Sequence, residues 1–288
     1  MTPLKPLILA HRGLVTQFQE NTLAAIQAAL ASPFCHGAEC DVFLSQDAQV
    51  VLCHDDNLHR LTGLEASIYG LNWAQLAQLR VQKTLLVDGG TRQYASTQPL
   101  VLLRDVLADC QGKTNADGSL FFLDIELKAT LPDPSKAAVG AAVARLVREF
   151  QMENQCVVSS FNYFMIHAAK KEHPALRTAI AYDDTLPVTG GNATVYDWLM
   201  NAVMESNALG ELFHASAVVA EHTLLDADSI AKLHAKAMRV GSYTLFPLVC
   251  EPALQAAHTL VLQTLATQGL DWVETDNVAM AYAALNAG

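Results

Sequence analysis

Carboxylates recur two residues apart inside otherwise apolar runs of this chain. Glu39 and Asp41 lie in Gly37-Ala38-Glu39-Cys40-Asp41-Val42, and Asp124 and Glu126 lie in Leu123-Asp124-Ile125-Glu126-Leu127-Lys128. Residues two apart on a strand share a face. Glu39 and Asp41 therefore point one way, with Cys40 and Val42 opposite. Asp124, Glu126 and Lys128 share a face, with Ile125 and Leu127 opposite. Buried charges must be paired or bind a metal. Glu39, Asp41 and Glu126 converging on one point would repel one another unless a cation lay between them. Hard carboxylate oxygens suit Mg²⁺ or Ca²⁺, whereas zinc draws more His or Cys. The competing account is that each carboxylate pairs with an Arg or Lys near a strand end.

His11 closes the first apolar run and is followed by Arg12-Gly13; His54 closes another and is followed by Asp55-Asp56. Two histidines at strand ends can serve as general acid and general base, each worth roughly 10² to 10⁴ in rate. Asp55, or a carboxylate of the cluster, would hold an imidazole in the required tautomer. The other eight of the ten histidines read as ordinary core or surface residues. Three carboxylates and a divalent cation sum to about −1, so a phosphodiester would be repelled without further positive charge; Arg12 and Lys128 are placed to supply it.

These residues need a frame. Short apolar runs at 7–11, 38–44, 50–54, 120–128, 156–160, 177–182, 217–221, 240–245 and 271–275 alternate with helical patterns at 22–31, 71–79, 100–110, 136–150, 163–172, 226–237 and 252–268. Such alternation predicts parallel βαβ units. The link from Ser45 to Gln49 is too short for a parallel crossover, so 38–44 and 50–54 form an antiparallel hairpin turning at Gln46-Asp47-Ala48. The other eight runs fit an α/β fold of the TIM-type (β/α)8 barrel class, somewhat irregular, with active sites at the carboxyl ends of its strands. Two stretches, 56–98 and 183–213, interrupt the rhythm as inserted loops. The second carries an extra helix near 195–207 and reads as a lid. Neither has a linker's composition, so residues 1–288 are expected to be a single barrel domain.

Bulk properties exclude other classes. The 288 residues are 51% hydrophobic, enough for a large core, and carry a net charge of −11. An acidic chain whose longest basic run is Lys170-Lys171 is no nucleic-acid binder. No run approaches the roughly 18 apolar residues of a membrane span, and the start lacks a signal-peptide pattern. Neither stable membrane insertion nor secretion is expected. The six scattered cysteines read as free thiols in a reducing cytoplasm.

The ordered set His11-Arg12-Gly13, Glu20-Asn21-Thr22, Glu39-x-Asp41, His54-Asp55 and Glu126-Leu127-Lys128 closely resembles the glycerophosphodiester phosphodiesterases, nearly end to end. Ser159-Ser160-Phe161 and Glu274-Thr275-Asp276 resemble that family's later strands. The resemblance implies a TIM-type barrel that splits a small-molecule glycerophosphodiester into glycerol 3-phosphate and an alcohol, using one Mg²⁺ or Ca²⁺. It makes His11 and His54 the acid–base pair. Glu39, Asp41 and Glu126 become metal ligands, Arg12 and Lys128 phosphate contacts, and Glu20 and Asn21 supports of the site. The sequence departs from the family at three places. Gln19 stands where Pro usually precedes Glu-Asn-Thr, Tyr243-Thr244-Leu245-Phe246 replaces a Trp-Thr-Val-Asn stretch, and Asn277 stands where an aromatic is common. The departures gather where substrate is recognised. A lipid-headgroup phosphodiesterase, of lysophospholipase D or phosphatidylinositol-cleaving type, would use the same core and add an apolar groove, for which Trp198, Leu199, Met200 and Val203 are available. A non-catalytic phosphate-binding barrel is the other alternative, against which stand five intact site residues.

Overall fold

The computed structural model describes residues 5–87, 90–128, 136–183 and 201–287. The chain opens with β1 (Leu7–Ala10), then β2 (Gly37–Leu44) and its antiparallel partner β3 (Val50–Leu52). The 56–98 excursion holds four short strands: β4 (Arg80–Val81) pairs with β7 (Gln98–Pro99), and β5 (Thr84–Val87) pairs with β6 (Gly90–Gln93). Six further strands follow: β8 (Phe122–Leu127), β9 (Cys156–Ser160), β10 (Thr178–Tyr182), β11 (Ala217–Glu221), β12 (Arg239–Leu245) and β13 (Trp272–Thr275). The order β1-β13-β12-β11-β10-β9-β8-β2, with β1 pairing back onto β2, closes an eight-stranded parallel barrel. β3 extends one side of it, so the expected hairpin and the barrel are both present.

Period-2 alternation divides each strand between two apolar environments. Ile8, Cys40, Val42, Ile125 and Val158 face outward and bury against Ile26, Val143, Val147 and Ile166 of the surrounding helices. Leu9, Val157, Ala179, Ala217, Val219 and Trp272 form a separate cluster inside the barrel. Burying a Val, Leu or Ile side chain contributes about 1.5–3 kcal/mol, so the outer layer carries most of the stability. The excursion has its own cluster, built on Phe43, Val51, Leu58, Leu61, Ile68, Leu76, Leu85 and Tyr94.

Helices form largely where periodicity placed them. Leu23–Leu30 is capped by the Thr22 hydroxyl, which accepts from Ala25 N; Ala138–Glu149 and Pro252–Thr267 lie inside their expected spans. The helix expected over 71–79 shrinks to Trp73–Leu76, because an Asn72/Gln75 capping box starts it and the chain enters β4 at Arg80. The strand expected over 120–128 starts at Phe122, since Leu120 instead bridges back to Thr114. Of the 183–213 insertion, residues 201–206 and Ala208–Phe213 are helical. Met204 is buried and Val203 packs against the main core, so these apolar side chains serve packing. Trp198, Leu199 and Met200 lie outside the described residues. All six cysteines are free thiols and five are buried. No helix among the described residues is long and apolar enough to cross a membrane.

Candidate active site

Strand register brings the carboxylates together. In the β2–β8 pair, Glu39 lies beside Asp124 and Asp41 beside Glu126. One oxygen from each of Glu39, Asp41 and Glu126 falls within 4.8 Å of the others. Glu39 and Asp41 are almost fully buried, and Glu39 Oε1 has no hydrogen-bond partner. Burial, then repulsion from Asp41 and Glu126, raises the Glu39 pKa well above the carboxylate range. Asp41 moves the other way: burial opposes its ionisation, but Lys128, His54 and Arg12 together outweigh it and lower its pKa. An unsatisfied oxygen amid converging carboxylates fits a divalent cation. Ca²⁺–oxygen bonds of about 2.3–2.6 Å place opposed ligands about 5 Å apart.

The loop after β1 is shaped to reach this cluster. Gly13, at φ +85°, lies where a Cβ would stand 2.7 Å from the Ala25 Cβ, so the helix can pack directly on the loop. Arg12 and Asn21 both adopt left-handed φ, 58° and 56°, which costs non-glycine residues of order 1–3 kcal/mol. Hydrogen bonds offset the strain. Arg12 N donates to Glu39 Oε2 at 2.8 Å and Asn21 N to Arg12 O at 2.9 Å. Asn21 also brackets Asp41: its Nδ2 donates to Asp41 Oδ2 at 2.7 Å, and its Oδ1 accepts from Asp41 N at 2.9 Å. The Arg12 guanidinium lies 3.3 Å from both Asp41 and Glu20. Lys128 Nζ stands 2.8 Å from Glu126 and 3.0 Å from Asp41. Burial would discharge each cation, but the surrounding carboxylates raise both pKa values.

Both histidines are held by an aspartate. His11 extends the β1 ladder through its N–H to Thr275 O, and its Nδ1 lies 2.7 Å from Asp276 Oδ1. Asp276 Oδ2 accepts from Leu248 N at 3.0 Å. His54, two residues beyond β3, places Nδ1 2.7 Å from Asp55 Oδ1. In each pair Nδ1 is committed to a carboxylate, which leaves Nε2 for chemistry. His11 Nε2 is 3.9 Å from Glu39 Oε2. Burial would raise the Asp55 pKa, yet hydrogen bonds from His54 and Arg60 hold it at about 2.

Sequence reasoning missed three features. Arg60 joins the site from the excursion, with two bonds to Glu20, at 2.7 and 2.8 Å, and one of 2.5 Å to Asp55. Asp276 was noted only as part of a family-like strand; its position just past a barrel strand, like Asp55 beside His54, was the available signal. Deeper in the barrel Asp124 and Glu274 hydrogen-bond to each other, with Ser159 Oγ 2.6 Å from Asp124 and Trp272 Nε1 2.8 Å from Glu274. Burial raises the pKa of both carboxyls.

The three departures from the family pattern have separate consequences. Gln19 is buried and its amide donates to Gln82 O and Ser96 O, at 3.0 and 2.6 Å, pinning the excursion to the β1 loop. Tyr243 stays at the site: it lines the barrel mouth and donates to Tyr182 O at 2.7 Å. Asn277 leaves it, capping helix Val278–Asn286 beside an outer surface cleft. Of these departures, Tyr243 lines the barrel-mouth cavity and Asn277 does not.

His11, Arg12 and His54 stand where two cavities meet. One, of about 240 Å³, enters the barrel mouth past Glu126, Lys128, Phe161 and Tyr243. The other, of about 580 Å³, runs beneath the excursion past Val87, Tyr94 and Leu248. The first sets Arg12 and Lys128 against Glu126, Asp183 and Glu274, and the second is the more spacious of the two.

Residues 11–280 match the model of the glycerophosphoryl diester phosphodiesterase family. The glycerophosphodiester phosphodiesterase of Caldanaerobacter subterraneus subsp. tengcongensis is 25% identical over 208 residues, 72% of this chain and 75% of that one. Among solved structures, the glycerophosphodiester phosphodiesterase of Agrobacterium tumefaciens aligns with a TM-score of 0.68 at 21% identity, over 96% of this chain and 99% of that one. A phosphodiesterase of Oleispira antarctica, solved in complex with the product sn-glycerol-3-phosphate, aligns with a TM-score of 0.67 at 23% identity, over 98% and 97%. These two likenesses carry the barrel fold. The family match begins at His11 and runs through every site residue named above, and on that ground the chain belongs to the glycerophosphoryl diester phosphodiesterase family.

Proposed function

We propose that this protein hydrolyses a glycerophosphodiester to glycerol 3-phosphate and an alcohol, with His11 and His54 as the acid–base pair. The observation that carries this reading is the meeting of two aspartate-held imidazoles, the half-buried cations Arg12 and Lys128, and Glu126 on one cavity, with Glu39 and Asp41 within 4.8 Å of Glu126. Glu39, Asp41 and Glu126 would hold one Mg²⁺ or Ca²⁺, which supplies charge stabilisation to the phosphoryl oxygens when bound. Arg12 and Lys128 bind the non-bridging oxygens and stabilise the charge that develops in the pentacoordinate transition state. One histidine takes the proton of the nucleophile at Nε2: of water, which gives glycerol 3-phosphate directly, or of the glycerol 2-hydroxyl, which gives a cyclic phosphate that water then opens to glycerol 3-phosphate with the same histidines exchanging roles. The other gives its Nε2 proton to the leaving alkoxide, so the proton balance closes with product release. Asp276 and Asp55 hold Nδ1 of each ring and so keep both imidazoles aimed at the cavity, as the third member of a hydrolytic triad does. Glu20 and Asn21 hold Arg12 and Asp41 in position.

The test is release of glycerol 3-phosphate from a panel of glycerophosphodiesters, and of the headgroup alcohol from a lysophospholipid alongside, in Mg²⁺ and in Ca²⁺. Turnover of a water-soluble glycerophosphodiester in at least one metal is expected. Turnover of the lysophospholipid alone moves the assignment to a lipid-headgroup enzyme. Binding of metal and glycerol 3-phosphate without cleavage of any diester would sink the catalytic reading.

A further inference from the structure

The amino ends of the barrel strands frame a second cavity, of about 690 Å³, at the end of the barrel away from the carboxylate cluster. Its walls are strand starts: Leu7 opens β1, Phe122 opens β8, Ala217 opens β11 and Trp272 opens β13. The amino end of such a barrel ordinarily serves stability, and a packed plug is expected there. Here the packing stops at Trp272. Gly241 leaves room for the indole to lie against β12, with a ring atom 2.1 Å from where a Cβ would stand. The indole Nε1 donates to Glu274, so the ring closes the barrel interior on one side and floors an open cavity on the other.

The charge around this cavity runs against that of the whole molecule. Lys5, Arg177 and Arg239 line it with one carboxylate, Asp271, a balance of +2 in a chain of net charge −11. Asp271 is already engaged by Arg239 at 2.6 Å and His234 at 2.9 Å. Arg177 gives Nε and one terminal nitrogen to the Glu153 carbonyl and stands 5.6 Å from the Phe122 ring centroid. Lys5 Nζ donates to the Asn286 amide oxygen. Among the described residues neither cation has a carboxylate partner. Residues 1–4, outside the described residues, are Met-Thr-Pro-Leu and bring no carboxylate.

We propose that this cavity binds a small amphipathic anion, its apolar or aromatic body against Phe122 and Trp272 and its single carboxylate or sulfonate at Arg177 and Lys5. The volume lies in the range of small-molecule sites, which are mostly apolar with a few polar groups fixing orientation. A guanidinium held over an aromatic ring offers an anion charge-assisted hydrogen bonds beside an apolar wall.

The probe is 8-anilinonaphthalene-1-sulfonate titrated into the full chain, with uncharged N-phenyl-1-naphthylamine as its counterpart. One saturable site is expected, at least tenfold tighter for the sulfonate and undisturbed by saturating glycerol 3-phosphate. Lys5→Gln should weaken the sulfonate severalfold and Arg177→Gln more, with little effect on the neutral dye. Leu7→Trp, filling the mouth, should remove both dyes while the melting temperature stays within a few degrees. The proposal is overturned by equal affinity for the two dyes, by displacement with glycerol 3-phosphate, or by unchanged binding in Leu7→Trp. It is equally overturned if deleting residues 2–4 increases dye binding tenfold, since the chain's own start would then be the occupant.

Discussion

The two ends of the barrel are built from the same strands with opposite chemistry. Toward or just past their carboxyl ends β1, β2, β8 and β13 present His11, Asp41, Glu126 and Asp276; at their amino ends β1, β8 and β13 present Leu7, Phe122 and Trp272. The carboxyl end keeps an unsatisfied Glu39 oxygen, the left-handed non-glycine residues Arg12, Asn21, Thr244 and Phe246, and carboxylates close enough to repel. Those features cost stability, and apolar packing elsewhere offsets them. Carboxylate repulsion concentrated at one end, against the apolar strand starts of the other, is what a site organised for reaction looks like.

Substitutions at the two ends should therefore separate loss of activity from loss of stability. His11→Ala or His54→Ala should lower kcat by roughly 10³ or more, with a melting temperature within a few degrees of the parent; near-parental turnover with metal bound would remove either residue from the acid–base pair. Trp272→Ala should do the reverse, costing about 3–5 kcal/mol in urea unfolding through lost packing while the folded fraction retains most of its kcat. A small stability loss there would mean that the amino end is not a support. Asp276→Asn should reduce kcat by about tenfold to a hundredfold and shift the pH profile of kcat/KM, because it unsettles the His11 tautomer. An unshifted profile with lower KM would assign Asp276 to binding instead.

Two smaller effects concern stability. Glu39→Gln should raise the metal-free melting temperature by a few degrees, since it removes a repelled buried carboxylate worth about 1–2 kcal/mol, and should abolish the rise that Mg²⁺ or Ca²⁺ gives the parent. A lower metal-free melting temperature would show that Glu39 is a net support. The last concerns acid. Asp55 has a pKa held at about 2, below its ordinary value of 3.8. Its contribution is therefore present above pH 3.8 and lost as pH falls towards 2. Asp55→Asn should flatten that acid limb of the stability curve and leave the curve above pH 5 parallel to the parent's.

The barrel was legible because its signals are local. Strand periodicity set Glu39 beside Asp41 on one face, and the short Ser45–Gln49 link announced the hairpin. The carboxylate cluster followed from the same periodicity. What stayed hidden depends on partners distant in sequence. Arg60 meets Glu20 across the excursion, and Asp276 meets His11 only when β13 closes against β1. Asn277 looked substrate-facing because it follows Asp276, but the helix it caps turns it to another surface. The amino-end cavity left no sequence signal, because an apolar strand start reads the same whether it fills a plug or lines a hollow.

The central claim is that the carboxyl end works as a cation-assisted phosphodiester-cleaving site. Its most direct test is glycerol 3-phosphate release by the full chain before chelation, after exhaustive chelation, and after readdition of Mg²⁺ or Ca²⁺. The account predicts loss of at least nine-tenths of the activity on chelation and its recovery with a divalent cation in the parent, and no recovery in Glu39→Gln. Full activity after exhaustive chelation would contradict it.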